Sequence, residues 1–429
     1  MAEAAHPVRL RIDDDLQRNR LTVFFRLLLA IPHYIWLFIW SIGAFLAWIA
    51  NWLATLATGR PPHALHRFLS AYLRYGAHLN AYLLLVANPY PGFTGERGYP
   101  FEVELPEEPV EQPRWKTLLR ILLVIPAVVL STALSGPLVG SSGGYAQRRG
   151  RYRSYVNVGG GFLGVASAFL GWFAILVRGA MPKGLRDAGA YSIGYGAQTL
   201  AYVLLLTDRY PNADPNALLA GVEPPPAHPV AVAVADDLVR SRVTVFFRVL
   251  LAVPHFIWFF LWTAASILAS IVQWFATLAR GTPLASLQRF LGAYIRYRVH
   301  AYAFLFLVAN PFPGFTGAPG TYPVDVQLPE PEEQRRVVTF FRFLLSIPVW
   351  IIGSALESAL FVAGVLTWFA ALATGRAPEG LRNLGVYALR YTAQSFAYVY
   401  LLTERYPHAS PLAGRDPSPP SEAEFAPTG

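Results

Sequence analysis

Hydrophobic and polar positions follow the same order four times along the chain. Each unit opens with a short alternating run, and these runs begin at Pro7, Pro100, Pro229 and Pro323. Alternation with a period of two predicts a β-strand. Three further segments follow: an amphipathic stripe (segment a), a long apolar run (segment b), and a run that starts polar and ends apolar (segment c). Each unit is therefore predicted to be a strand followed by helical segments.

The first unit shows these segments most clearly. Segment a covers Arg20 to Ile31, segment b covers His33 to Thr58, and segment c covers Ala64 to Ala87. Pro32 separates a from b, a position that suits the first turn of a helix or a kink. A glycine, Gly59, follows segment b and predicts the end of that helix.

Sequence identity supports the repeat. Leu21 to Trp40 returns at Val243 to Trp262 with 14 of 20 positions identical, at an offset of 222. Within the first half, RLLLAIP from Arg26 reappears as RILLVIP from Arg120. The chain is thus predicted to be two homologous halves of two units each. We divide it into unit 1 (1–98), unit 2 (99–211, with an insertion at 136–161), a linker (212–228), unit 3 (229–320), unit 4 (321–407) and a disordered tail (408–429).

Composition indicates a membrane protein. The 429 residues are 54% hydrophobic and only 14% charged, whereas soluble domains carry about 25% charged residues. Segment b exceeds the roughly 20 residues that cross a hydrocarbon core. The chain has no cysteine, which excludes disulfides and thiolate sites. The net charge of +9 comes from arginines spread beside apolar runs, so we expect anionic lipid headgroups rather than nucleic acid as partners.

The number of membrane crossings has two readings. We place the insertion at 136–161 between segments equivalent to a and b, which favours three crossings per unit and twelve in all. The turns between b and c are basic in all four units, for example at Arg60 and Arg280, which favours units of one orientation. We prefer the second reading, with eight crossings and an interfacial segment a. The strand side carries more basic residues, so we expect both termini in the cytoplasm of a bacterial cell, in its inner membrane.

The predicted fold class is therefore an all-α polytopic membrane protein. Its four repeats each hold an interfacial or membrane helix plus a transmembrane helix hairpin, preceded by a short strand. If the four strands lie on one side of the membrane, we expect them to pair into one small surface sheet.

One arginine recurs in every unit, six residues before a proline and inside an apolar segment: Arg26, Arg120, Arg248 and Arg342. Arginine at such depth is costly unless it reaches the interface, pairs with an acid or meets a phosphate. An interfacial anchor is the simpler reading. The sharper reading is a set of four guanidinium groups that bind lipid headgroups.

Other polar residues recur less regularly. Segment c ends at Asn88 and Asn310 in the odd units and at Asp208 and Glu404 in the even units; these are helix-end turns or, alternatively, a polar ring. Glu357 is the one acid well inside an apolar segment, so it is a candidate proton or cation site. We find no catalytic or metal-binding constellation and expect no cofactor.

The motifs RLLLxIPH, WxAxLxTGR, AYLRY and TDRYP or ANPYP resemble those of the bacterial "domain of unknown function 4389" family of membrane proteins, over most of the chain. The resemblance implies the architecture and no activity. Our leading hypothesis is a nonenzymatic scaffold or accessory subunit that binds lipid or a membrane protein partner. A transporter of lipid or a small solute is the first alternative, and a lipid-modifying enzyme is the second.

Overall fold

The computed structural model describes residues 5–135 and 162–414. Unit 1 contains β1 (Arg9–Ile12), α1 (Arg20–Phe24), α2 (Arg26–Leu29), α3 (Ile31–Thr58) and α4 (His63–Leu83). Unit 2 contains β2 (Phe101–Glu104), α5 (Arg114–Ser135), α6 (Leu163–Arg178) and α7 (Lys183–Val203), and the linker contains α8 (Pro215–Leu218). The predicted insertion at 136–161 lies outside the described residues.

The second half repeats this order. Unit 3 contains β3 (Ala231–Val234), α9 (Arg242–Phe246), α10 (Arg248–Leu251), α11 (Val253–Arg280) and α12 (Ala285–Leu305). Unit 4 contains β4 (Val324–Gln327), α13 (Arg336–Phe340), α14 (Arg342–Leu345), α15 (Ile347–Thr374) and α16 (Glu379–Val399). We call α3, α11, α15 and the pair α5 and α6 the long helices, and α4, α7, α12 and α16 the central helices.

The four predicted strands are confirmed, but the prediction that they form one sheet is wrong. β1 pairs antiparallel with β2, and β3 pairs antiparallel with β4, which makes two separate two-stranded sheets. Each sheet packs on the central helices of its own half: Leu10 of β1 meets Gly194 of α7, and β2 contacts α4. Each half therefore supplies both strands of its own sheet and the helix surface that buries them.

Helix boundaries in the first unit follow local signals. Gly59 ends α3 with a φ of 81°, a left-handed conformation that glycine adopts without a steric cost. Segment a is divided into α1 and α2 because the backbone leaves helical geometry at Phe25. Segment c ends earlier than expected, since α4 stops at Leu83 rather than continuing to Ala87.

The second unit corrects the placement of the insertion. α5 runs through Pro126 without a break as far as Ser135, and α6 begins at Leu163. Because Arg120 aligns with Arg26, Ser135 aligns with Ser41, which lies well inside α3. The insertion therefore interrupts the long helix itself and does not mark a turn between segments a and b.

Central helices separate the strands from the long helices. On α4, Tyr75 faces α3 and hydrogen-bonds to His33 at 2.9 Å. The opposite face of α4 meets the strand segment, where His66 lies 2.9 Å from the carbonyl of Pro106 and His78 lies 3.4 Å from Glu102. The molecule is thus a stack of three layers: sheets, central helices and long helices.

Within each half, the two central helices run antiparallel. Leu85, just past the end of α4, packs against Met181, just before the start of α7. At the other end, Gln112 bonds both to the carbonyl of Leu205, just past α7, and to the carbonyl of Gly59, just before α4. The units lie side by side in the order 1, 2, 4, 3. Unit 1 contacts unit 2 through α3 and α5, unit 2 contacts unit 4 through α5 and α15, and unit 4 contacts unit 3 through α13 and α11.

The long helices α3 and α11 turn their polar residues inward and their apolar residues outward. In α3 the buried residues include His33, Asn51 and Thr55, whereas every exposed residue from Ile31 to Ala57 is apolar or aromatic. This pattern is typical of a surface that contacts lipid. Among the described residues, four helices are long and apolar enough to cross a membrane: Arg26–Thr58, Arg114–Ser135, Val253–Arg280 and Arg342–Thr374. The central helices, which the eight-crossing hypothesis requires to cross, are not among them.

The predicted tail boundary is also too early. Ser410 and Leu412 are buried, and Ser410 donates a hydrogen bond to the buried carboxylate of Asp187 at 3.0 Å. Residues 408–414 therefore pack against the central helices, because Asp187 and the carbonyl-binding Arg390 hold them there. The remainder of the tail lies outside the described residues.

Candidate functional site

The recurring arginines cap the central helices. Nη1 of Arg26 donates to the carbonyls of Tyr82 and Ala87 at 2.7 and 3.2 Å, and Nη2 donates to the carbonyl of Asn88 at 3.3 Å. The last carbonyls of a helix have no partner within the helix. The guanidinium carbon also lies 4.2 Å from the centre of the Tyr82 ring, a cation–π distance.

Arg248 repeats this arrangement and donates to the carbonyls of Phe304 and Ala309. Arg120 and Arg342 differ, because each donates to one carbonyl beyond the helix end, that of Thr207 or Thr403. Each also donates to the side-chain oxygen of a glutamine, Gln112 or Gln334. All four arginines are at most 3% exposed. The structure thus places these guanidinium groups in the protein interior, on backbone carbonyls. We therefore replace the headgroup hypothesis with a capping role.

A second set of capping residues was not found from the sequence. Arg18 donates to the carbonyls of Leu85 and Val86 at 3.2 and 3.0 Å, and it forms a buried ion pair with Asp14 at 2.7 Å. Leu85 has a φ of 62°, which costs free energy in a residue with a side chain. Arg240 and Leu307 repeat this contact in the second half. The shared motif DDLxR before segment a of units 1 and 3 is the signal that could have identified them.

The proposed polar ring is not assembled. Asn88 and Asn310 bond to the arginine of their own unit, Arg26 and Arg248, and Glu404 pairs with Arg335. Because the central helices of a half are antiparallel, Asn88 and Asp208 lie at opposite ends of their layer. Asn88, Asn310 and Glu404 each contact an arginine instead of one another.

Glu357 does not stand alone in the structure. Its Oε1 accepts a hydrogen bond from Nη2 of Arg298 at 2.9 Å, across from α15 to α12. The Glu357 side chain is 46% exposed, whereas the Arg298 side chain is 11% exposed. The rings of Tyr302 and Phe396 lie 4.5 and 4.4 Å from the guanidinium carbon. Glu357 is thus held as the partner of a buried arginine.

A cavity of about 670 Å³ opens between the helices of the first half. Its floor comes from the central helices, including Gly76 and Asn80 of α4 and Gly196 and Leu200 of α7. Its walls come from the long-helix layer: Phe24, Leu27, Tyr34 and Leu37 on one side, and Val165, Phe169 and Trp172 on the other. The exposed side chains of Leu27 and Phe169 mark its mouth on the apolar face of the molecule.

The second half fills the corresponding space. At the offset of 222, Gly76 corresponds to Arg298 and Asn80 corresponds to Tyr302. When the arginines of units 2 and 4 are aligned, Ser135 corresponds to Glu357, and alignment of Gly179 with Gly375 places Leu200 opposite Phe396. All of these replacements enlarge the side chain. The Arg298–Glu357 pair and its aromatic neighbours therefore occupy the volume that stays open in the first half.

Sequence reasoning missed this difference between the halves. The sequence does contain a signal of it, because the first half has glycine and serine at the aligned positions where the second half has arginine and glutamate. Yet only the packing shows that the changed positions, which belong to three different helices in each half, surround one space.

The model of the family described as "Domain of unknown function (DUF4389)" matches the chain four times, at residues 20–94, 159–213, 242–316 and 336–410. The chain belongs to this family. Its DUF4389 matches fall one in each unit, and the second omits α5, which lies before the insertion. No curated protein and no solved structure matches the chain.

Proposed function

We propose that this DUF4389 protein is a nonenzymatic membrane protein that holds the apolar chain of a lipid in the cavity of the first half. The proposal rests on one observation: the cavity is open in the first half, whereas side chains fill the corresponding space in the second half. A bacterial inner membrane, with both termini on the cytoplasmic side, is the location that we propose from the charge distribution.

The lining of the cavity suits an uncharged, apolar ligand. Arg26 is its one charged residue among those described, and its guanidinium already binds backbone carbonyls. The remaining lining residues are mostly Leu, Val, Ala and aromatic residues. A volume of about 670 Å³ lies within the range of about 300–1,000 Å³ that small-molecule sites occupy.

The same lining supports a nonenzymatic role. Catalysis by acid, base or nucleophile needs such a group within hydrogen-bond reach of a partner. Ser135 is the hydroxyl nucleophile candidate in the described lining, and its Oγ donates instead to the carbonyl of Ser192 at 2.8 Å. No histidine or carboxylate lies among the described lining residues.

A photoactivatable fatty acid tests the proposal. Membranes that contain the full chain are loaded with the probe, irradiated, and analysed by intact mass and peptide mapping. We expect the probe to attach to peptides of α4 and α7, and the double variant N80Y/L200F to reduce attachment about tenfold, equivalent to 1.4 kcal/mol of binding free energy. Both replacements introduce the residue that the second half has at the aligned position, so the fold is known to accommodate each of them there.

A matched control separates the cavity from general contact with lipid. Leu53 is 54% exposed on α3 and does not line the cavity, so L53F changes the lipid-facing surface alone. Equal attachment in N80Y/L200F and L53F, or attachment confined to peptides of the long helices, would exclude the cavity as the binding site.

A further inference from the structure

The strand layer is too polar to lie within a bilayer. Arg9, Arg11 and Glu104 are exposed on the paired strands β1 and β2, and these strands cover the middle of the central helices. If α4 and α7 crossed the membrane, the charged sheet would lie near its midplane, where an exposed charge is costly. The central helices must therefore lie along the membrane surface, beneath the sheets.

Two of the turns that join segments b and c must lie on the same side of the membrane as the sheets, because few residues separate them from a strand. In the first half, the carbonyl of Leu16 accepts a hydrogen bond from the amide of Met181, in the turn before α7, at 2.8 Å. Leu16 follows the last residue of β1, Ile12, by four residues, which span at most about 14 Å. The hydrocarbon core is about 30 Å thick. The corresponding bond in the second half joins the amide of Ala377 to the carbonyl of Leu238 at 2.9 Å.

The other two turns are tied to the strands in a similar way. Gly59 and Gly281 each accept a backbone hydrogen bond at 2.8 Å, from Gln112 and Gln334. Gln334 follows the end of β4 by seven residues, a reach of at most about 25 Å. In the first half, the segment after β2 is held to α4 where Pro106 meets His66. All four turns thus lie on the same side as both sheets.

The opposite face of the molecule is apolar along α3 and α11, whereas α15 exposes Ser354 and Glu357. In α11, every exposed residue from Val253 to Ala279 is apolar or aromatic, and the first exposed charge is Arg280 at its end. Exposed basic residues likewise follow α3 at Arg60 and end α6 at Arg178. This arrangement places positive charge at the edges of an apolar surface, as in helices that lie in the membrane interface.

We propose that the protein lies in one leaflet of the membrane without crossing it. The long helices lie in the membrane plane and contact the acyl chains, the arginines at their ends meet anionic headgroups, and the sheets face water. A helix diameter of about 10 Å fits within one leaflet. The proposal rests on the membrane location in the proposed function, but it is independent of the cavity.

Single cysteines test this arrangement, because the natural chain has none. We choose E104C on the strand layer, R60C and R178C at the turns of units 1 and 2, and F45C on the apolar face. A membrane-impermeant thiol reagent is applied to spheroplasts and to inside-out vesicles. We expect E104C, R60C and R178C to react from the same side, and F45C to react only after detergent is added.

Each other pattern contradicts the proposal. Labelling of R60C and R178C from opposite sides would mean inverted units that cross the membrane. Labelling of both turns from the side opposite to E104C would mean transmembrane hairpins. Labelling of F45C in intact membranes would mean that the apolar face does not contact lipid. Failure of the fatty-acid experiment with the same-side pattern intact would overturn only the cavity.

Discussion

Nη2 of Arg298 lies 2.9 Å from Oε1 of Glu357, and this ion pair occupies in the second half the space that stays open in the first. Gly76 and Ser135 stand at the aligned positions of the open cavity. Two homologous halves therefore share their helices but differ in their interior. A duplicated chain can thus keep its fold while the interiors of its two copies differ.

The triple variant R298G/E357S/F396L should open a second cavity, because it restores the first-half residue at three of the four aligned positions. We expect the amount of covalently attached fatty acid per chain to double, with new attachment sites on α12 and α16. Intact mass measurement after irradiation checks this. E357Q alone is the control: it keeps the volume filled, so attachment should stay at the wild-type amount, and an increase there would show that volume is not the deciding factor.

Replacing Arg26 by Leu should destabilise the protein strongly. The guanidinium donates to the carbonyls of Tyr82, Ala87 and Asn88, of which that of Tyr82 also accepts a bond from the amide of Leu85. An unpaired buried acceptor costs about 1–3 kcal/mol. We expect a loss of at least about 3 kcal/mol of unfolding free energy, measured by denaturation in detergent. R9L, at an exposed position of β1, should change the stability by no more than about 0.5 kcal/mol. Equal effects would refute the capping role.

Gly95 should not tolerate a side chain. A Cβ at this position would lie 2.2 Å from the carbonyl oxygen of Ala71, and its φ is 68°. Gly98 also has a positive φ, 101°, but open space surrounds its Cβ position. We expect G98A to cost about 1–2 kcal/mol for the backbone conformation alone, and G95A to cost clearly more. Thermal unfolding of the two variants measures the difference, which reports the clash at Gly95. A smaller loss of stability in G95A than in G98A would contradict the close approach of Gly95 to Ala71.

Acid should destabilise the protein through His228, the last residue of the linker before unit 3. Burial lowers the pKa of His228 from 6.5 to about 4, and its Nδ1 accepts a hydrogen bond from the amide of Val230 at 3.0 Å. Below pH 6.5 the unfolded chain therefore binds a proton at His228, whereas the folded chain binds this proton only below about pH 4. Stability is full at pH 7 and falls as the pH decreases through this window, by about 2 kcal/mol at pH 5.

The variant H228N isolates this contribution, because an asparagine side chain can accept the same hydrogen bond without titrating. We expect its melting temperature to fall less than that of the wild type between pH 7 and pH 5. Burial also lowers the pKa of His408 to about 4, so part of the acid sensitivity should remain. Identical slopes for H228N and the wild type would show that His228 is accessible to protons in the folded chain.

Local signals were sufficient for most of the secondary structure. Alternating runs after Pro100 and Pro323 predicted β2 and β4, because side chains alternate between the faces of a strand. Gly59 and Gly281 predicted the ends of α3 and α11, because a left-handed residue closes a helix at low cost to glycine. The insertion was misplaced, because the proline before it resembled a helix boundary, yet Pro126 is accommodated within α5.

The sequence alone determined the four recurring units, the strands, the helix-ending glycines and the membrane character, because periodicity, backbone preference and hydropathy act between near neighbours. The packing was needed to establish that the strands form two sheets, that the recurring arginines bind backbone carbonyls, and that one half is open while the other is filled. These properties depend on which faces meet across residues far apart in sequence. Arg298 and Glu357 are 59 residues apart, and only the packing of α12 against α15 and α16 gives their contact its meaning.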